Sequence, residues 1–254
     1  MTRWLRYDYA GRPGFGRLEG DAIAVCRGDM FDAPEATGEM IGLAEVEIDV
    51  PCRPSKLIAL WNNFHAAASK QGLGRPVAPL LFIKPPNTYR PSGATIAIPA
   101  CAGKTIFEGE LGIVIGRTAR DVGVTEATAH IFGYTCINDV TSLPILRADE
   151  SFVQWTRSKG LDGFGPFGPV IATDLDPSTL VIRTLVDGSE RQSYPVSDMV
   201  FSAAELVSMI SQGMTLEPGD IISCGTSVGA GSIKPGNVVE VSIEGIGVLV
   251  NRFE

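Results

Sequence analysis

The sequence has no C-x-x-C pair, no run of lysine or arginine, and no apolar stretch of about 18 residues. Each absence excludes a class. The five cysteines, Cys26, Cys52, Cys101, Cys136 and Cys224, are odd in number and widely spread. They support neither a zinc site nor a disulfide framework, and they fit a reducing, cytoplasmic compartment. Cys136 and Cys224 lie in apolar runs and read as small core residues. The opening MTRWLRYDYAGRPGFG lacks the continuous apolar core of a signal peptide. With 21 Lys+Arg against 29 Asp+Glu the net charge is −8, which argues against nucleic acid or an anionic membrane as partner. Internal repeats and low-complexity tracts are also missing.

What is present describes a soluble chain of 254 residues, 44% hydrophobic and 20% charged. Such a length can bury roughly three-quarters of its unfolded surface around one core. There are 29 glycines and 17 prolines, so turns are frequent and strands should be short. Residues 1–50 are weakly patterned apart from AIAVC at 22–26, and Pro51 and Pro54 bracket a boundary. We therefore expect a small N-terminal subdomain over 1–50 and a main domain over 51–254. In the main domain LIAL, LLFI, IFEGELGIVIG, GYTCIND, GPVIAT, VIRTLV, DIISCG, VVEVSI and IGVLV read as strands. Asp187-Gly188 marks a tight hairpin. Three helices are expected: one after Asn62-Asn63 ending near Gly72, one over 125–131 capped by Thr125, and one opened by the capping box of Ser202 and Glu205. The fold class is mainly β with a few short helices (α+β).

Within IFEGELGIVIG, Glu108 and Glu110 stand two apart, which on a strand places both carboxylates on one face. Gly109 between them leaves the other face bare for close backbone approach. Two surface acids on a solvated edge would give the same spelling. Asp139, at the end of GYTCIND, supplies a third carboxylate at a strand terminus. Three carboxylates with no His or Cys beside them form a hard oxygen site, suited to Mg2+, Mn2+ or Ca2+ rather than zinc.

FEGELGIVIG, GYTCIND, SKGLDGFGPFGP, LEPGDIISCGT and KPGNVVEVSIEGIGVLVN, in this order over 106–251, resemble the fumarylacetoacetate hydrolase (FAH) family. The resemblance implies a mixed β-roll, often preceded by a small N-terminal domain and commonly a homodimer. It implies Glu108, Glu110 and Asp139 as ligands of Mg2+ or Mn2+, with Ca2+ possible in crystals, and Lys159 as a lysine near substrate, with Asp162 at the motif's acid position. Thr226 and Gly225 would contact a substrate carboxylate, although Ser227 stands where the family usually has proline. Lys84, in FIKP, also matches a family position, and an exposed strand end would serve it as well.

His65 should open the alanine-rich helix, where its neutral imidazole could accept a proton from water. The family often pairs this histidine with a glutamate three residues on, but Ala68 stands there. The family's substrate-holding Arg and Gln correspond to Leu143 and Leu146; Arg147 and Gln154 lie further along. His130 reads as structural. The reaction implied is metal-dependent hydrolysis of a C–C bond in an acylpyruvate-like 2-oxo acid. Decarboxylation, enol/keto isomerisation, or a catalytically degenerate binding protein are the alternatives.

Overall fold

The computed structural model describes residues 1–254. Its strands fall into sheets of twelve, three and five members. The large sheet runs Asp32–Gly42, Ala22–Asp29, Arg12–Glu19, Arg3–Tyr9, Gly165–Ala172, Ile131–Asn138, Gly109–Ile115, Ile221–Ser223, Leu57–Trp61, Leu80–Lys84, with two short strands off this path. The five-stranded sheet is built on Val181–Val186, Val238–Ile243 and Gly247–Phe253, flanked by Ser189–Pro195 and Thr95–Ile96. Alternation in these strands sends every second side chain inward, as in Val238–Ile243, where Val239, Val241 and Ile243 are buried.

The core lies where the two larger sheets face each other. Leu111, Ile113 and Ile115 pack there with Ile182, Val241 and Leu249 and with Leu206, Val207 and Ile210 of the helix Ala203–Ser211. That helix opens with the expected capping box: Ser202 accepts from the Glu205 amide, and the Glu205 carboxylate accepts from the Ser202 amide. Val114 points to the opposite face, into a second cluster with Leu57, Phe82 and Phe167. Strand Gly109–Ile115 is thus buried on both sides, as its apolar run after Glu110 requires.

Residues 1–50 are almost wholly strand, and Arg3↔Ala172 pairing joins them to the main sheet, with Leu5, Tyr7, Ile23 and Ile41 in the main core. Three details depart from expectation. The segment read as one strand over 106–116 breaks at Glu108 into Thr105–Phe107 and Gly109–Ile115, which belong to different sheets. Helix Val124–Ala127 is preceded by Gly123 rather than capped by Thr125, and a 3-10 turn, Thr128–His130, follows it. Two further short helices, Leu143–Leu146 and Trp155–Lys159, follow the Asp139 strand.

Candidate metal centre and its cavity

One antiparallel ladder carries two of the three carboxylates. Gly109 pairs with Asn138, and Ile106 pairs with Thr141, so a continuous register sets Glu108 opposite Asp139. The Asp139 amide donates to the Glu108 carbonyl at 2.8 Å, and the Glu108 amide donates to Asn138 Oδ1 at 3.0 Å. Like charges directly opposite on a ladder repel. The repulsion is met by Lys159, whose Nζ lies 2.5 Å from Glu108 Oε2 and 2.5 Å from Asp139 Oδ2. Lys84 Nζ reaches Asp139 Oδ1 at 2.5 Å and the Lys159 carbonyl at 2.8 Å. Lys84 is fully buried, so it is not the exposed strand end that its spelling also allowed.

Glu110 is buried and takes a different set of partners. Its Oε2 accepts from the Ser223 hydroxyl and from the Gly225 amide, the latter at 2.9 Å. Gly225 has φ +86°, and a Cβ there would stand 3.1 Å from the Leu60 carbonyl, so glycine is required for this turn. The glycine-rich loop does present an N–H to an anion, and that anion is the protein's own carboxylate. Burial raises the Glu110 pKa well above the ordinary range, and repulsion from Asp139 adds to it. For Asp139 burial acts upward, but Lys159 and Lys84 outweigh it and the pKa falls below the usual value. Burial pushes Lys84 down. Lys159, although buried, is raised by Asp139, Glu108 and Glu110.

Gly109 is gripped from the five-stranded sheet. Its amide donates to Gln192 Oε1 at 3.0 Å, and its carbonyl accepts from Thr226 Oγ1 at 3.0 Å and from the Tyr194 hydroxyl. Gln192 Nε2 donates to Thr226 Oγ1 at 2.9 Å, closing the network. Thr226 therefore helps fix the strand between the two glutamates. Gln192 and Tyr194 come from a hairpin whose own sequence carries no site signal, and sequence reasoning missed them.

A cavity of about 260 Å³ opens over this group. Glu108, Glu110, Asp139, Lys159, Thr226 and Ser227 line its polar side, and Trp61, Phe82, Ile106, Leu143, Leu146 and Trp155 its apolar side. Phe82 and Trp155 are stacked at 5.6 Å, and Lys159 Nζ lies 5.0 Å from the Phe82 ring centroid. The expected site residues divide cleanly. Glu108, Glu110, Asp139, Lys159 and Thr226 meet at the cavity, whereas Gly225 stands behind Glu110. His65 does open its helix, His65–Gln71, but it is exposed and does not line the cavity; Ala67 and Gln71 of that helix do. Arg147 lines the cavity and Gln154 does not. Asp162 is exposed, bonded to Asn87 at 2.7 Å.

Sequence comparison places the chain. Residues 56–254 match the family model described as fumarylacetoacetate (FAA) hydrolase C-terminal, and residues 2–51 match one described as Rv2993c-like, N-terminal. The chain belongs to the fumarylacetoacetate hydrolase family. It is 41% identical over 224 residues to Protein Rv2993c of Mycobacterium tuberculosis, covering 87% of this chain and 83% of that one. The crystal structure of 2-hydroxyhepta-2,4-diene-1,7-dioate isomerase from Mycobacterium marinum superposes with a TM-score of 0.92 at 36% identity, covering 100% of this chain and 98% of that one. Maleylpyruvate hydrolase from Sphingobium sp. SYK-6, solved with manganese(II) and pyruvate, gives a TM-score of 0.80 at 27% identity, covering 99% and 98%. The family thus includes hydrolases and isomerases on one scaffold. No helix of this chain is long and apolar enough to cross a membrane.

Proposed function

We propose that the protein hydrolyses a C–C bond in acylpyruvate-like 2-oxo acids, with Glu108, Glu110 and Asp139 holding Mg2+ or Mn2+. The observation that carries this reading is the group of three carboxylates lining a small cavity together with Lys159 and an aromatic and aliphatic wall. The donor set fits such a cation, being all oxygen and hard. Its charge fits too: three carboxylates face two ammonium groups, and Glu110 has no cation in contact. No three acidic, sulfur or imidazole groups form a ready cage, and Lys159 bridges Glu108 and Asp139. Loading would therefore require Lys159 to leave that bridge.

When bound, a divalent cation would polarise the 2-oxo group and stabilise the negative charge that develops as the bond breaks. Lys159, at the cavity wall, would offer its ammonium to the substrate carboxylate. Trp61, Phe82 and Trp155 would receive the acyl arm and keep bulk water from it. His65 would take a proton from the attacking water. For this its helix must swing inward, with Gly72 at φ +67° as the point of rotation. Water adds to the acyl carbonyl, the C–C bond breaks, and its electron pair leaves with the pyruvate fragment, which then takes up a proton.

The exposed position of His65 favours a second reading, enol/keto isomerisation or decarboxylation, which uses the same charge stabilisation without a water base. Acetylpyruvate and oxaloacetate, each with Mg2+, separate the two. Hydrolysis should release pyruvate from acetylpyruvate, and His65→Ala should lower that rate by about 10²–10⁴-fold. Pyruvate release unaltered in His65→Ala removes His65 from the mechanism. Interconversion or CO2 loss from oxaloacetate, with no cleavage of acetylpyruvate, would replace the first reading by the second.

A further inference from the structure

Two parallel strands of the large sheet end together at the cavity: Leu57–Trp61 and Ile221–Ser223, in register from Leu57↔Ile221 to Ala59↔Ser223. The loops that follow them touch. Asn63 Nδ2 donates to the Cys224 carbonyl at 2.8 Å, and a Cβ at Gly225 would stand 3.1 Å from the Leu60 carbonyl. From these loops Asn62, Thr226 and Ser227 line the cavity.

Their hydrogen bonding differs. Thr226 Oγ1 donates to the Gly109 carbonyl and accepts from Gln192 Nε2, so it is committed to the protein. Ser227 is 4% exposed, its carbonyl accepts from Gln192 Nε2 at 3.4 Å, and its hydroxyl has no partner. Asn62 Nδ2 donates to the Gly74 carbonyl at 3.1 Å. A carbonyl partner requires the amide nitrogen at that end, which leaves Asn62 Oδ1 at the other, buried and likewise without a partner. Buried polar atoms are nearly always paired, so two orphans on adjoining loops of one cavity mark a place for a ligand group.

The two orphans restrict what that group is. Asn62 Oδ1 only accepts, so a carboxylate is repelled there; the Ser227 hydroxyl needs an acceptor for its proton, which an ammonium lacks. An alcohol hydroxyl donates and accepts through one atom and meets both demands. We propose that Asn62 and Ser227 form a subsite for a neutral hydroxyl on the arm of the bound acid, so that the cavity prefers hydroxylated 2-oxo acids to their alkyl counterparts. The proposal rests on the reading that a 2-oxo acid is held at the three carboxylates. Both residues set specificity, and neither belongs to the acidic group.

Calorimetric titration of the full-length, Mg2+-loaded protein tests this with pyruvate and two pairs of acids matched in size. The pair 3-hydroxypyruvate and 2-oxobutanoate, and the pair 4-hydroxy-2-oxobutanoate and 2-oxopentanoate, each differ only in a terminal hydroxyl or methyl group. In at least one pair the wild type should bind the hydroxylated member about two- to twelvefold more tightly, the range for one neutral hydrogen bond. Ser227→Ala should remove this preference while keeping the wild-type Tm, because the hydroxyl it deletes has no partner in the protein. Asn62→Gly, which suits the left-handed backbone there at φ +59°, should remove it too. Equal wild-type affinity within both pairs, or a preference that survives either variant, overturns the proposal while pyruvate binding upholds the site. Failure of pyruvate to bind the loaded wild type overturns the 2-oxo acid reading and the proposal with it.

Discussion

Gly109→Ala probes the joint on which the candidate site depends. A Cβ at Gly109 would stand 2.0 Å from Thr184 Oγ1 and 3.3 Å from both Val241 methyl groups. Ordinary contact begins near 3.4 Å, so strands Gly109–Ile115 and Val181–Val186 must part by about 1.4 Å or Thr184 must rotate. The Gly109 backbone is not left-handed, so the substitution brings no dihedral strain; in open space it would stabilise by about 0.4–1 kcal/mol. Overpacking reverses the sign and costs about 1–3 kcal/mol. For a chain of this size, 1 kcal/mol moves Tm by about 2–4 °C, so a fall of about 2–12 °C is expected.

Thr184 supplies the control. Its hydroxyl is buried and has no hydrogen-bond partner, so Thr184→Ala alone should be nearly neutral. In the double variant the obstructing oxygen is gone, and more than half of the lost Tm should return. Scanning calorimetry of all four proteins without added metal closes the cycle. A Gly109→Ala variant within about 1 °C of the wild type refutes the steric argument. So does an equal loss with and without Thr184.

Two further outcomes follow from the fold. Ser202→Ala should cost about 1 kcal/mol near pH 7 by urea melting. The Ser202 hydroxyl holds the Glu205 carboxyl below its usual pKa, so this contribution is full above the ordinary carboxylate range and fades as pH falls through the lowered value. The gap between wild type and variant should therefore narrow on acidification, and a gap independent of pH would exclude the capping box as its source. Strand Leu80–Lys84 ends the large sheet with Leu80 41% and Leu81 42% exposed, an edge of the kind that sheets cover. We expect a homodimer, with sedimentation at micromolar concentration giving twice 27.0 kDa; a lone 27.0 kDa species contradicts it.

Legibility in the sequence followed how local each signal was. VIRTLV and VVEVSI fold as strands over the residues read, and Asp187-Gly188 turns between Val181–Val186 and Ser189–Pro195 with positive φ at both residues. The first 50 residues are weakly patterned because glycines interrupt their strands. Gly14 and Gly16 lie within a strand, where a Cβ would meet the Tyr7 ring at 2.7 Å and the Ala24 carbonyl at 2.3 Å. They serve close packing. The same limit hides which strands are covered: Val238–Ile243 is paired on both sides, by Val181–Val186 and by Gly247–Phe253. At the site, the acids, Lys159 and Thr226 were legible from motif. The burial of Lys84 and the grip of Gln192 and Tyr194 depend on sheet packing, which no local pattern records.

The break at Glu108 explains why these acids need a cation at all. Thr105–Phe107 belongs to the small sheet and Gly109–Ile115 to the large one; Thr141–Ser142 and Ile131–Asn138 divide in the same way. One ladder thus bends as it passes between sheets, and Glu108 and Asp139 face each other at the bend. Carboxylates directly opposite would push the strands apart at the bend. Hydrogen bonds from Thr141 to Glu108 at 2.7 Å, and between the two backbones, hold position without removing charge. Only a positive group between them can do that, and Lys159 does so while also lining the cavity. A bend that demands a cation is therefore a structural basis for the chemistry proposed: the charge that the ladder needs is the charge that a 2-oxo acid would find.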